Sequence, residues 1–219
     1  MLMDWDERAA RAIERHDDGA ARLPDEPEER QRQLTRMGNA AWAAGLSLLM
    51  AGRNQDAQVW LVRAAERYRE SWRDAPPGSW GRPIGAMKAR LIAGDVERAH
   101  EDARWALEAG AARSESPIGR YAAVLAHLVV GEDAEAAALA ATLQGRDDFP
   151  QPVARTIEAL ASGDAVSYQA AIRSLLVDFE GRDEFLEDIA VADTVLALQV
   201  LAGERELAIE LGSAMLPAD

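Results

Sequence analysis

The chain has 219 residues, 48% of them hydrophobic, and no cysteine. It is long enough to bury a substantial core, and it has no means of forming disulfides, thiolate nucleophiles or Cys-ligated zinc or iron–sulfur centres. A formal net charge of −14 opposes binding to nucleic acid or anionic lipid.

No stretch approaches the roughly 18 to 20 uncharged apolar residues of a membrane span, and charges begin at Asp4 with no leader-like apolar run behind them. The expectation is a cytoplasmic protein without membrane contact. The charge is unevenly spread. Residues 1–38 carry 7 basic and 10 acidic side chains, residues 39–90 carry 8 and 4, and residues 91–219 carry 9 and 24. The only cationic part is therefore the second segment. With 23 Arg and one Lys, the basic residues suit a high-GC coding sequence, and a salt-adapted one is a second reading.

In chain order, residues 4–16 read as a short helix, 17–27 as an acidic loop with Pro24 and Pro27, and 28–38 as the approach to a helical array. Residues 1–38 thus form an N-terminal helix and loop, and 39–219 the repeat domain. Within the latter, five apolar segments end in glycine at Gly52, Gly94, Gly131, Gly163 and Gly203. Their spacing is that of a helix, a tight turn and a second helix, the mark of stacked hairpins. A glycine supplies the left-handed residue that ends a helix at low steric cost. Each of the five is expected to end the first helix of a hairpin.

Between Gln55 and Arg73, Ala57, Trp60, Leu61, Ala64, Ala65, Tyr68 and Trp72 form one apolar stripe. The next second helix repeats it with Val96, Ala99, Ala103, Ala106 and Leu107, with Gly110 marking its end. Punctuation falls at 75–83, 114–117, 145–152 and 180–184. No strand pattern is present.

Gly45, Gly52, Ala57, Leu61 and Ala64 resemble the tetratricopeptide-repeat (TPR) pattern of a first-helix glycine, a second-helix alanine, a large apolar residue and a further alanine. Weaker copies follow at Gly94, Ala99 and Ala106, and at Gly131, Ala136 and Ala140. The displaced aromatic Trp42, a missing terminal proline and Tyr168 at an alanine position depart from it. The resemblance implies an all-α, right-handed α-solenoid of about five antiparallel helical hairpins, TPR-like, with a concave surface that docks a peptide or partner protein. The first helices would line that surface, with Asn39, Trp42, Lys88, Arg120 and Tyr121 pointing toward it.

Residues 63–90 hold seven cations, Tyr68, Trp72, Trp80 and tandem prolines. Arginine forks beside aromatics favour carboxylate, phosphate or ring recognition. Tyr68 and Trp72 lie on the apolar stripe, where packing accounts for them; Trp80 and Arg82, in a Gly/Pro-rich turn, are the candidates for binding. Trp105 falls off its helix's stripe and is expected to pack on a neighbouring hairpin.

Catalytic material is thin. Glu97 and His100 make one Glu-x-x-His where a di-iron bundle needs two. His16, His100 and His127 lie far apart, with His127 read as a core histidine, and no phosphate-loop or H-E-x-x-H motif occurs. The expectation is a non-enzymatic interaction module, without cofactor or metal, for a protein or acidic peptide. Two other readings stay open: an enzyme or small-anion binder using segment 63–90, and an immunity-type inhibitor acting by surface complementarity.

Overall fold

The computed structural model describes residues 4–218, which are all-helical, with ten α-helices and no strand among the described residues. The helices are α1 (Trp5–Ala21), α2 (Pro27–Met50), α3 (Asn54–Ser71), α4 (Gly81–Ile92), α5 (Val96–Glu108), α6 (Pro117–Val130), α7 (Asp133–Ala141), α8 (Gln151–Ala161), α9 (Ala165–Glu180) and α10 (Asp193–Gly203).

Their starts follow from local chemistry. Asp4 Oδ1 accepts the Glu7 N–H at 3.2 Å, Glu26 caps α2 ahead of Pro27, and Ser116 caps α6 ahead of Pro117. Each of these satisfies a backbone donor that the first helical turn leaves free. The sequence boundary at residue 38 falls inside α2, because Pro27 starts the helix and nothing interrupts it before Gly52.

Four hairpins end their first helix in the same way. Gly52, Gly94, Gly131 and Gly163 have φ of 74°, 73°, 79° and 69°. At each turn the next residue's N–H reaches back to the carbonyl five residues earlier, as in Arg53 to Leu48 at 2.9 Å and Glu132 to His127 at 2.9 Å. This is the Schellman closure, and a left-handed residue is what it requires.

Gly203 differs: it is the last residue of α10, and the left-handed conformation falls on Glu206, at φ 59°. Residues 204–218 then run without a helix. The fifth pair is therefore one helix and an irregular tail. Its Leu207, Ile209, Leu211, Met215 and Leu216 pack on the core.

Consecutive helices pack on one another from α1 to α9. The alanine stripes are buried: Ala57, Ala64, Ala99, Ala103 and Ala106 are at most 1% exposed, and their small size lets helix axes approach closely. The departure from a simple succession lies after α9. Residues 181–192 cross to α1 and α2, placing Ile189 and Val191 in the cluster built on Ala41, Trp42 and Leu46, and α10 then packs on α4. Arg205 secures this return by donating to the Asp133 carboxylate and, at 2.6 Å, to the Leu128 carbonyl. No helix among the described residues is long and apolar enough to cross a membrane.

Candidate functional site

The site begins with Tyr68, held between two helices by the absence of side chains. A Cβ at Gly38 on α2 would stand 2.8 Å from Tyr68 Cε1, and one at Gly85 on α4 would stand 2.8 Å from Cε2. Glycine inside a helix costs about 1 kcal/mol relative to alanine, and here two such positions admit one aromatic ring. The ring is buried, and its hydroxyl donates to Asn39 Oδ1 at 2.9 Å. Burial raises the Tyr68 pKa, with Asp193 and Glu187 adding to the effect, so the phenol stays protonated.

Around this ring lies a cavity of about 400 Å³ whose walls include Asn39, Trp42, Trp80, Arg82, Lys88 and Asp193. Five of the seven residues singled out by sequence are therefore brought together. Arg120 and Tyr121 are not among the lining residues. Arg120 is half-buried on α6, with Nε donating to the Ser114 carbonyl at 3.4 Å. Tyr121 is buried and packs on Phe149 with ring centroids 5.6 Å apart. Burial chiefly, and secondly the nearby Asp193 carboxylate, push its phenol pKa up.

The two cations of the cavity differ in what they meet. Lys88 Nζ donates to Asp193 Oδ2 and, at 2.9 Å, to Thr194 Oγ1, and lies 5.6 Å from the centre of the Trp42 ring. The Lys88 and Asp193 side chains are 11% and 19% exposed. The lysine is thus matched by a carboxylate 105 residues along the chain.

Arg82 is half-buried, and its contacts are neutral: Nε donates to Ser71 Oγ at 2.9 Å and Nη2 to Gln31 Oε1. Among the described residues no carboxylate forms an ion pair with it. Burial alone shifts its pKa downward, with no opposing acid. Ser71 in turn donates to the Tyr68 carbonyl at 2.8 Å, so the guanidinium is fixed through the same tyrosine that forms the floor. Trp80 precedes α4, is 8% exposed, and leans on Trp72 with centroids 5.4 Å apart. Its ring also packs with Ala111, Ala122 and Ala123, so most of it serves the joint between α4 and α6.

Beside the cavity runs the segment between α9 and α10. Arg8 Nη1 donates to the Asp188 carbonyl at 2.8 Å, Arg15 pairs with Glu187 at 3.1 Å, and Leu186 stands at the cavity rim, 56% exposed. Glu187 and Asp188 have φ of 56° and 59°. Two successive non-glycine residues in this region are uncommon and costly, and this strap adopts them where it crosses α1 and α2.

A second polar depression surrounds Trp105, which lies edge-on to Trp72 at 5.5 Å and under Arg69 at 5.2 Å. Its packing is within the chain. Asp102 here is 1% exposed, and desolvation raises its pKa although Arg69 and Arg90 draw it down. The four arginines of this depression face four acids, so it is balanced where the Arg82 cavity is not. His127 lies within α6, its side chain largely buried and its Nδ1 2.6 Å from Glu132 Oε2. Among the described residues no cluster of three His, Asp or Glu is placed to hold a metal ion.

Tyr68, Gln31, Ser71 and Asp193 escaped the sequence reading of the site. Gly38 and Gly85, inside helices and away from any turn, are the signal that could have pointed to Tyr68. No local pattern joins Asp193 to Lys88. Comparison with protein-family models, curated proteins and solved structures gives no match for this chain.

Proposed function

We propose that the protein is an interaction module: a TPR-like array of helical hairpins whose face on α1, α2 and α4 receives an acidic, extended segment of a partner protein. The observation that carries this reading is the chain's own strap. Its Glu187 meets Arg15, its Asp188 carbonyl meets Arg8, its Ile189 and Val191 bury beside Trp42, and Asp193, the first residue of α10 directly after it, meets Lys88. That is the chemistry an acidic–apolar partner segment would use, and the partner takes the strap's place. The array of four glycine-closed hairpins, with alanines between the axes, supports the right-handed solenoid that such a face needs.

Affinity capture from native cell extract tests the reading with two variants of opposite expected sign. Glu187→Gln with Asp193→Asn weakens the strap and should raise the yield of the captured partner several-fold. Arg8→Glu with Arg15→Glu reverses the face and should lower it. Both variants are checked by circular dichroism for parental helix content. Yields that match the parent in both directions would reject the face as the docking site.

A further inference from the structure

Beyond the partner face, we infer that the Arg82 cavity is a binding site for a monocarboxylate carrying a compact apolar or aromatic body. The inference concerns the cavity with the strap in place, Leu186 of the strap and the adjoining Asp193 being among its walls, and its test needs no partner protein.

Its charge gives the valence of the ligand. Of the two cations in the walls, Lys88 is matched by Asp193, which leaves Arg82 with a serine and a glutamine. A half-buried guanidinium without an anion is an unusual arrangement in a chain with 38 acidic and 24 basic side chains. One unmatched cation suits one negative charge, and a phosphate dianion would leave a charge uncompensated in a partly desolvated space. With Nε and one Nη2 proton donated to Ser71 and Gln31, the remaining Nη1 and Nη2 protons form the pair of N–H donors that a carboxylate accepts from.

The rest of the cavity specifies the body. About 400 Å³ lies within the range of small-ligand pockets. Trp42, Tyr68, Ile84 and Leu186 supply apolar wall, and Asn39, oriented by the Tyr68 hydroxyl at 2.9 Å, presents its amide donors for a second polar contact. The glycines at 38 and 85 hold the floor ring in place. Exposed Gly78 and Gly81 and the rim residue Leu186 leave an entrance.

The same carboxylate could be carried by a free metabolite-sized acid or by the end of a peptide, and the experiment separates them. Phenylacetate, benzoate and 4-methylpentanoate are titrated calorimetrically beside their primary amides, phenyl phosphate, and an N-acetyl dipeptide ending in phenylalanine. In parallel, the Arg82 Nε–H resonance is followed by NMR. The expected result is saturable binding of at least one free acid, with its amide and phenyl phosphate each weaker by about tenfold or more. A charge-assisted hydrogen bond is of that size. The Arg82 Nε–H should move only with the acid, and Arg82→Gln should lose about tenfold in affinity.

Tighter binding of the dipeptide than of every free acid assigns the carboxylate to a peptide end. Equal affinity for acid and amide, an unmoved Arg82 resonance, or no binding by any acid would overturn the inference. If Arg82→Gln does not fold, the acid–amide comparison and the Arg82 resonance decide on the parent protein.

Discussion

A methyl group added at Gly85 would meet Tyr68 at 2.8 Å, and the other edge of the ring faces Gly38, where a Cβ would likewise stand 2.8 Å away. Alanine gains about 1 kcal/mol over glycine in a helix, but overpacking costs about 1 to 3 kcal/mol, so Gly85→Ala should lower the melting temperature. Gly81→Ala, which meets nothing within 4 Å, should leave it unchanged or higher. If Gly85→Ala proves as stable as the parent, Tyr68 is not clamped and the cavity floor is loose.

Lys88 presents the same kind of choice. It is one member of a largely buried pair, and deleting one partner leaves a charge uncompensated, so Lys88→Ala should cost about 3 kcal/mol in chemical unfolding. A loss below about 1 kcal/mol would mean that the pair is open to water.

His16 governs a pH effect. It is 4% exposed, edge-on to Trp60 at 5.2 Å, with Nε2 lacking a partner. Burial chiefly lowers its pKa, outweighing the hydrogen bond to Asp17. A group with a depressed folded pKa adds stability that is full above the ordinary histidine value and is lost as pH falls through the depressed one. Acidification from pH 7 should therefore destabilise the parent more than His16→Gln. Identical slopes in thermal melts of the two would show that His16 protonates in place.

Among the elements, the four closing glycines are the most predictive feature. Alanine at Gly131 must adopt φ near 79°, which costs an L-residue about 1 to 2 kcal/mol, whereas Gly203 is already helical and Gly203→Ala should be neutral or slightly stabilising. Comparing the two melting temperatures tests the assignment of the fifth segment as a different kind of terminus. These elements were legible in sequence because their causes are local: an apolar stripe, a cap, a glycine after the stripe. The apolar run ending at Gly203 looks identical to the others, yet the residues after it, with Glu206 left-handed, form no second helix. Those residues instead pack on the core, Ser213 donating to Glu180 and Ile209 accepting from Gln199, and no local window contains such contacts. The site divides in the same way. The cationic, aromatic segment 63–90 was visible as composition, while the neutral partners of Arg82 and the acid on Lys88 come from α2, α3 and α10, up to 105 residues distant.

At the scale of the whole molecule, part of the acidic half is folded back onto cations of the first two segments. Residues 91–219 carry 24 acids against 9 cations, and the strap and α10 bring a few of those acids to Arg15 and Lys88. The unpaired remainder repels itself, so the melting temperature should rise from low salt to about 0.1 M, where charges beyond about 10 Å are screened, and then level off. A flat profile would mean that repulsion is not a significant load on the fold.

The central claim is that the strap holds the place of an acidic partner segment. Amide hydrogen exchange with and without the captured partner tests it most directly. The account predicts faster exchange across residues 184–193 and slower exchange in α2 and α4 when the partner is bound. Unchanged protection of 184–193 in a saturated complex would contradict it.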